Sequence, residues 1–255
     1  MGLGGQDISD GGSGAIESGS GFSADASVRD IVFFDDFLVA GFKVDAALAL
    51  ESDPSSKFST IANSGEWLVT FDVAPTIVIA DNEPGGLLVI TTGSNSNDFV
   101  SCQMNGEVWK VAAQKDIYFE CRVKFDDAND TQWFIGLATT DVAGTTVGPI
   151  LDGVTESIGF IQDGDADVDI DFVCEDNSTP TQTDTGINVV NDTYLILAFH
   201  VKSNDSVEFF VNGTSVGSST TNIPDTDAVT LTMEVHSPTA SSTIEVDYIY
   251  CAQIR

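Results

Sequence analysis

Basic side chains are the scarcest class in this chain: nine Lys and Arg stand against 40 Asp and Glu, a formal charge of -31 over 255 residues. Such a surface repels phosphate backbones and anionic lipid instead of releasing their counterions, which excludes nucleic acid and membrane surfaces as partners. Divalent cations and basic protein surfaces are the contacts it favours. Histidine is nearly absent too. His200 and His236 fall in different apolar runs with neither H-x-H nor H-E-x-x-H spacing, so they read as structural strand residues rather than zinc ligands. Cys102, Cys121, Cys174 and Cys251 form no CxxC pair, which excludes a zinc ribbon or a thioredoxin motif and leaves buried, reduced thiols as the expectation. No apolar stretch approaches the roughly 18 residues of a membrane-crossing helix. The opening MGLGGQDISDGGSGAIESGSGF lacks a basic segment followed by an apolar one, so synthesis in the cytoplasm without a signal peptide is expected. The five N-x-S/T sequons, at Asn129, Asn177, Asn191, Asn204 and Asn212, then read as loop chemistry. Neither G-x-S-x-G nor G-x-x-x-x-G-K-[ST] occurs, which removes the serine-hydrolase elbow and the phosphate loop.

Alternation with period two is what the chain has in abundance. In DIYFECRVKF, Ile117, Phe119, Cys121, Val123 and Phe125 share one face and Tyr118, Glu120, Arg122 and Lys124 the other, the mark of a half-buried strand. YLILAFHVK repeats it. Further runs are IVFFDDF, EWLVTF, TIVIA, LLVITT, WFIGLATT, SIGFIQ, VTLTMEVH and STIEVDYIYC. VEFFVNGTSVG reads as a hairpin closed by Asn212-Gly213 in a type I′ turn. Only Val44 to Ser52 reads as a short helix. More than ten strands in one chain predict an antiparallel sandwich or barrel.

Residues 1–29 are Gly- and Ser-rich with scattered apolar positions, a composition too poor in burial to offset its own ordering. This arm is expected to grip a partner through Ile8, Ile16 and Phe22, ahead of one compact domain over residues 30–255. Trp67, Trp109 and Trp133 serve either as core or as sugar-stacking platforms, for which aromatic faces are suited.

The densest cluster of carboxylates is DGDADVDIDF, Asp163 to Phe172. As a calcium loop from Asp163 it has acids at positions one, three and five, but Val168 stands at the required glycine and Cys174 at the bidentate position. Asp163 and Asp165 are its calcium candidates. As a strand from Asp165 to Phe172 it would line four carboxylates along one face and Ala166, Val168, Ile170 and Phe172 along the other.

The order of these features resembles a known group. DDF (Asp35 to Phe37), Trp67 after Gly, GGLLVITTG, YFECRVKF, FIGLATT, SIGFIQDGD, YLILAFHV, FFVNGTSVG, TNIPDTD and IEVDYIY succeed one another as in the concanavalin A-like lectin/glucanase superfamily. The likeness is greatest to the laminin-G-like jelly rolls of tailed-bacteriophage structural proteins. The resemblance spans residues 30–255 and implies an all-β, two-sheet antiparallel jelly-roll sandwich. For function it implies a non-enzymatic virion structural protein, a head decoration or capsid-stabilising module held to capsid proteins by the N-terminal arm and displayed on the virion surface, with self-association a further expectation. The alternative it implies is a carbohydrate-binding adhesin, some of whose relatives use calcium; a glucanase-like hydrolase ranks third. The glucanase signature, E-[hydrophobic]-D-x-E with an optional extra residue, is half present in EVDYIY: Glu245 and Asp247 match, but Ile249 and Tyr250 hold the places of the second Glu.

Overall fold

A computed structural model describes residues 31–35, 37, 59–60, 67–71, 73, 75–80, 86–140, 151, 153–163 and 168–254. The arm over residues 1–29 with Ile8, Ile16 and Phe22, the helical run 44–52, and Asp165 all lie outside them. Sixteen strands follow one another: β1 Ile31–Asp35, β2 Ser59–Thr60, β3 Trp67–Phe71, β4 Thr76–Ile79, β5 Leu88–Thr91, β6 Asp98–Met104, β7 Ile117–Phe125 and β8 Gln132–Ala138. The second half holds β9 Ser157–Gln162, β10 Asp169–Asp176, β11 Thr179–Asn188, β12 Leu195–Lys202, β13 Ser206–Val211, β14 Thr214–Ser219, β15 Thr230–Ser237 and β16 Thr243–Gln253. All pairings are antiparallel, and no helix occurs among the described residues.

Two eight-stranded sheets result. The first runs β14-β13-β12-β7-β16-β5-β4, with β1 also on β16; the second runs β11-β10-β9-β8-β15-β6-β3-β2. The central strands turn their apolar sets inward, so Phe119, Leu197 and Phe209 of the first sheet meet Ile135, Phe160 and Met233 of the second in one continuous core. The expected two-sheet sandwich is therefore the observed fold. β13 and β14 turn through Asn212 (φ 51°) and Gly213 (φ 74°), as a type I′ hairpin requires.

In β16 the inward set changes parity: Ile244 and Val246 are buried, then Ile249 and Cys251. A bulge makes this work, because Val246 pairs with Val123 and Tyr248 with Arg122, leaving Asp247 as the extra residue. All four cysteines are free and buried. Burial pushes the Cys102 and Cys174 thiols up to about 12 and raises those of Cys121 and Cys251 as well.

The three tryptophans are core residues, which corrects their reading as stacking platforms. Trp67, Trp109 and Trp133 are buried; Trp133 stacks on Phe125 at 4.5 Å and donates from Nε1 to Gln162 Oε1 at 2.9 Å. Their faces are occupied by packing, and no saccharide reaches them. The aspartate strand is shorter than expected as well. β10 begins at Asp169, with Ile170 and Phe172 buried and Asp169 and Asp171 half-buried on the opposite face. Gln182 of the neighbouring strand bridges two of these acids, donating from Nε2 to Asp171 Oδ2 at 2.7 Å and Asp163 Oδ1 at 3.2 Å. An amide thus supports Asp163, the calcium candidate Asp165 lies outside the described residues, and among the described residues no group of three His, Cys, Asp or Glu is placed to hold a metal ion.

Candidate functional site

Alternation decides which side chains each sheet turns away from the core. On the second sheet, Leu231, Met233 and Val235 of β15 point inward, so Thr232, Glu234 and His236 belong to the outer face. The same rule places Phe99, Ser101 and Gln103 of β6, Phe134 and Gly136 of β8, Gly159 of β9, and Asp171 and Glu175 of β10 on that face.

Its middle carries a carboxylate–imidazole pair. Glu234 Oε1 and His236 Nε2 lie 2.7 Å apart, with the two residues only 5 % and 6 % exposed. Phe99, in register with His236, stacks on its ring at 5.4 Å and fixes its plane. The Leu151 N–H donates to the same Glu234 oxygen at 3.4 Å, near the limit of a hydrogen bond. Ser101 stands directly opposite Glu234 in the ladder, is 2 % exposed, and its hydroxyl meets no hydrogen-bonding partner among the described residues. Such an orphan is uncommon, because a buried hydroxyl without a partner costs about 1–3 kcal/mol. One position along, Gln103 Nε2 donates to Thr232 Oγ1 at 3.0 Å and to the Thr139 carbonyl at 3.2 Å. Beside this polar band, Phe134, Ala138, Ile161 and Val173 form a small apolar cluster closed by Val154.

Chemically, a carboxylate and an imidazole in hydrogen-bond contact are the side-chain types used for general acid–base work. The row through paired positions runs Glu234, Phe134, Ile161, Asp171. Asp171 is three strand spacings from Glu234, roughly 14 Å at about 4.8 Å each. Glycosidase carboxylates stand about 5–5.5 Å apart for retention and about 6.5–9.5 Å for inversion, so this couple is no dyad. The half-motif EVDYIY is on the other sheet: Glu245 pairs with Lys124 at 2.9 Å and Asp247 with Arg122, and Arg122 lies over the Tyr194 ring at 3.8 Å. Those acids are matched surface charges. His200, likewise on the first sheet, pairs with Asp116 at 3.0 Å and stacks on Tyr118 at 4.2 Å.

Outside this face, Glu156 is buried at the rim, with Oε2 accepting from the Asp227 N–H at 2.9 Å and Oε1 unpartnered among the described residues. Burial raises its pKa, and the charges of Asp227, Asp176 and Asp225 raise it further. A carboxyl raised on folding binds its proton more tightly in the native state. Its protonated form therefore favours folding at low pH, and that contribution is lost as pH rises from the unfolded value through the folded one. Glu156→Gln is accordingly expected to melt a few degrees above the parent at neutral pH, the gap closing as pH falls toward about 4. Thermal melts across that range check it; a variant less stable than the parent at pH 7 would refute it.

Glu234 and His236 carried a sequence signal, E-x-H on the polar side of an alternating strand. Ser101 carried none, since its place opposite Glu234 depends on pairing β6 with β15.

Among solved structures, the chain is similar to the protein of unknown function SO2946 from Shewanella oneidensis MR-1, at 14% identity and TM-score 0.54 over 88% of this chain and 87% of that one. It is similar to an endo-1,3-beta-glucanase from Streptomyces sioyaensis, at 11% identity and TM-score 0.56 over 90% and 98%. It is similar also to a Bacillus licheniformis beta-glucanase, at 12% identity and TM-score 0.54 over 86% and 96%. At these identities the likeness is one of fold, the jelly roll expected from the order of strands. The reading of the chain as non-enzymatic is corrected by them: the structures sharing this sandwich are mostly carbohydrate-active enzymes, glucanases and a glucuronan lyase among them. They lend no support to a capsid-decorating role. No curated protein matches the sequence. The family model for the SO2946-like C-terminal domain matches residues 83–250, more than half of the chain, and the chain belongs to that family.

Proposed function

We propose that this is a carbohydrate-active protein that receives a polysaccharide along the outer face of its second sheet, with Glu234 and His236 as the acid–base centre. The observation that carries the reading is the Glu234–His236 pair at 2.7 Å facing the orphan Ser101 hydroxyl. Saccharide hydroxyls both donate and accept, so a hydroxyl that displaces the Leu151 N–H from Glu234 can also satisfy Ser101; at 5 % and 2 % exposure Glu234 and Ser101 form the closed floor of this face. The glucanases that share the fold support the substrate class.

The capsid-decoration reading rests on the N-terminal segment, outside the described residues, and on net charge. The carbohydrate reading rests on the face itself. Soluble polysaccharides titrated calorimetrically, with product release followed in parallel, test it. Glu234→Gln is expected to lower turnover by about 10²–10⁴-fold, the usual worth of a positioned acid–base group, and Ser101→Ala to weaken binding. A parent protein that neither binds nor turns over any polysaccharide, or a Glu234→Gln variant as active as the parent, would sink the proposal.

A further inference from the structure

We infer that the saccharide taken by this face is uncharged, and that polymers of uronic acid are refused. This rests on the carbohydrate reading above and narrows its substrate class.

The distribution of charge between the two sheets carries it. No Lys or Arg occurs in β2, β3, β6, β8, β9, β10, β11 or β15, the eight strands of the second sheet. The strand-borne bases, Arg122 and Lys124 of β7 and Lys202 of β12, all belong to the first sheet, where each is already matched by Asp247, Glu245 or Glu208. The outer face of the second sheet carries Glu234, Glu175, Asp171 and Asp169, and Asp184 lies opposite Asp171 across β10 and β11. His236 is the one ionisable group of the other sign in these strands, and it is engaged with Glu234.

A protein that binds a carboxylated sugar does so with Arg forks or Lys ammonium groups, which supply paired donors and a compensating charge. The described strands of this face have neither. A polyuronate laid along it would bring one carboxylate per sugar within a Debye length, about 10 Å at 0.1 M salt, of protein carboxylates. A neutral chain meets no such repulsion, and its hydroxyls can donate to the half-buried Asp171 and the exposed Asp184.

The test titrates the full chain with a soluble neutral β-glucan and with polyglucuronate of matched length, at low and at high ionic strength. The neutral polymer is expected to bind with little salt dependence, and polyglucuronate at least about tenfold more weakly at low salt, the gap narrowing as salt screens the repulsion. Asp171→Lys with Asp184→Lys is expected to shift the ratio of the two affinities toward polyglucuronate by about tenfold or more. Asp184→Lys alone, at an exposed position, gives the same direction should the double variant fail to fold. Polyglucuronate bound as tightly as the neutral glucan at low salt, or an unmoved ratio in the variants, overturns the inference while leaving the carbohydrate reading standing. Binding of neither polymer removes that reading and this inference together.

Discussion

Replacing Gly136 with alanine is expected to destabilise the sandwich by about 4 kcal/mol or more, among the largest losses a single methyl can produce. Gly136 of β8 faces Gly159 of β9 across the ladder. A Cβ built at Gly136 would stand 2.2 Å from the Ile158 carbonyl oxygen and 2.6 Å from the Gly159 Cα. Both obstacles are backbone in the middle of a sheet, so no side chain can swing aside; the strands must part. At Gly159 the nearest obstacle is again backbone, the Ile135 carbonyl oxygen at 2.5 Å, but the next is the Phe134 ring at 2.7 Å, a side chain, where Gly136 meets a second backbone atom. Gly159→Ala should therefore be the milder of the two. Denaturant unfolding gives the comparison, with exposed Ser218→Ala as control. In thermal melts the loss at Gly136 corresponds to a fall of about 10 °C or more for a chain of this size. A Gly136→Ala protein melting within two or three degrees of the parent would refute the argument.

Phe209→Ala is the second change expected to act strongly, costing about 3–5 kcal/mol. Phe209 is fully buried at the seam between the sheets. Its ring stacks on Phe172 at 4.3 Å, meets Phe160 edge-on at 5.5 Å, and lies 5.9 Å from Phe199. Phe160 and Phe172 belong to the second sheet and Phe199 to the first, so this one ring couples the two layers. Truncation opens a cavity that three aromatic rings cannot collapse into without leaving their own contacts. Phe209→Leu should recover roughly half of the loss, since it restores part of the volume without the ring geometry. Equal unfolding midpoints for the alanine variant and the parent would show that the seam does not depend on this residue.

Most of the fold was legible because half-buried strands write their burial into alternate residues. β7 and β12 are the clearest cases, and the Asn212-Gly213 turn could be placed to the residue. The strands that escaped notice are those that break the rule for a physical reason. Asp98–Met104 is buried on both faces, so polar and apolar residues no longer sort by side. Thr179–Asn188 is an edge strand reaching beyond the core, mostly exposed on both faces, and has no apolar set to display. Alternation also contained the answer to the tryptophan question, since Trp133 shares its parity with Ile135 and Leu137 and Trp67 with Val69.

The candidate site was half legible for a different reason. Glu234 and His236 share one strand, and their common face follows from spacing alone. Ser101 joins them only through a ladder between segments more than a hundred residues apart, which no local pattern encodes. The glucanase motif drew attention to Glu245 and Asp247 because acids in a strand look alike on paper. Their partners, Lys124 and Arg122, show them to be surface pairs of the kind that contribute little to stability. The bulge at Asp247 explains why that strand resisted a simple reading: alternation holds on either side of it, with opposite parity.

The four buried thiols have a consequence for where this molecule can work. With the Cys102 and Cys174 thiols pushed up to about 12 by burial, fewer than about one in ten thousand is a thiolate at neutral pH, and the thiolate is the form that attacks oxidants and disulfides. Burial raises the Cys121 and Cys251 thiols in the same direction. The sheets are thus held together with no disulfide among the described residues, and burial disfavours the thiolate that oxidants would capture while the chain stays folded. A reducing medium therefore finds no cross-link to break between these strands.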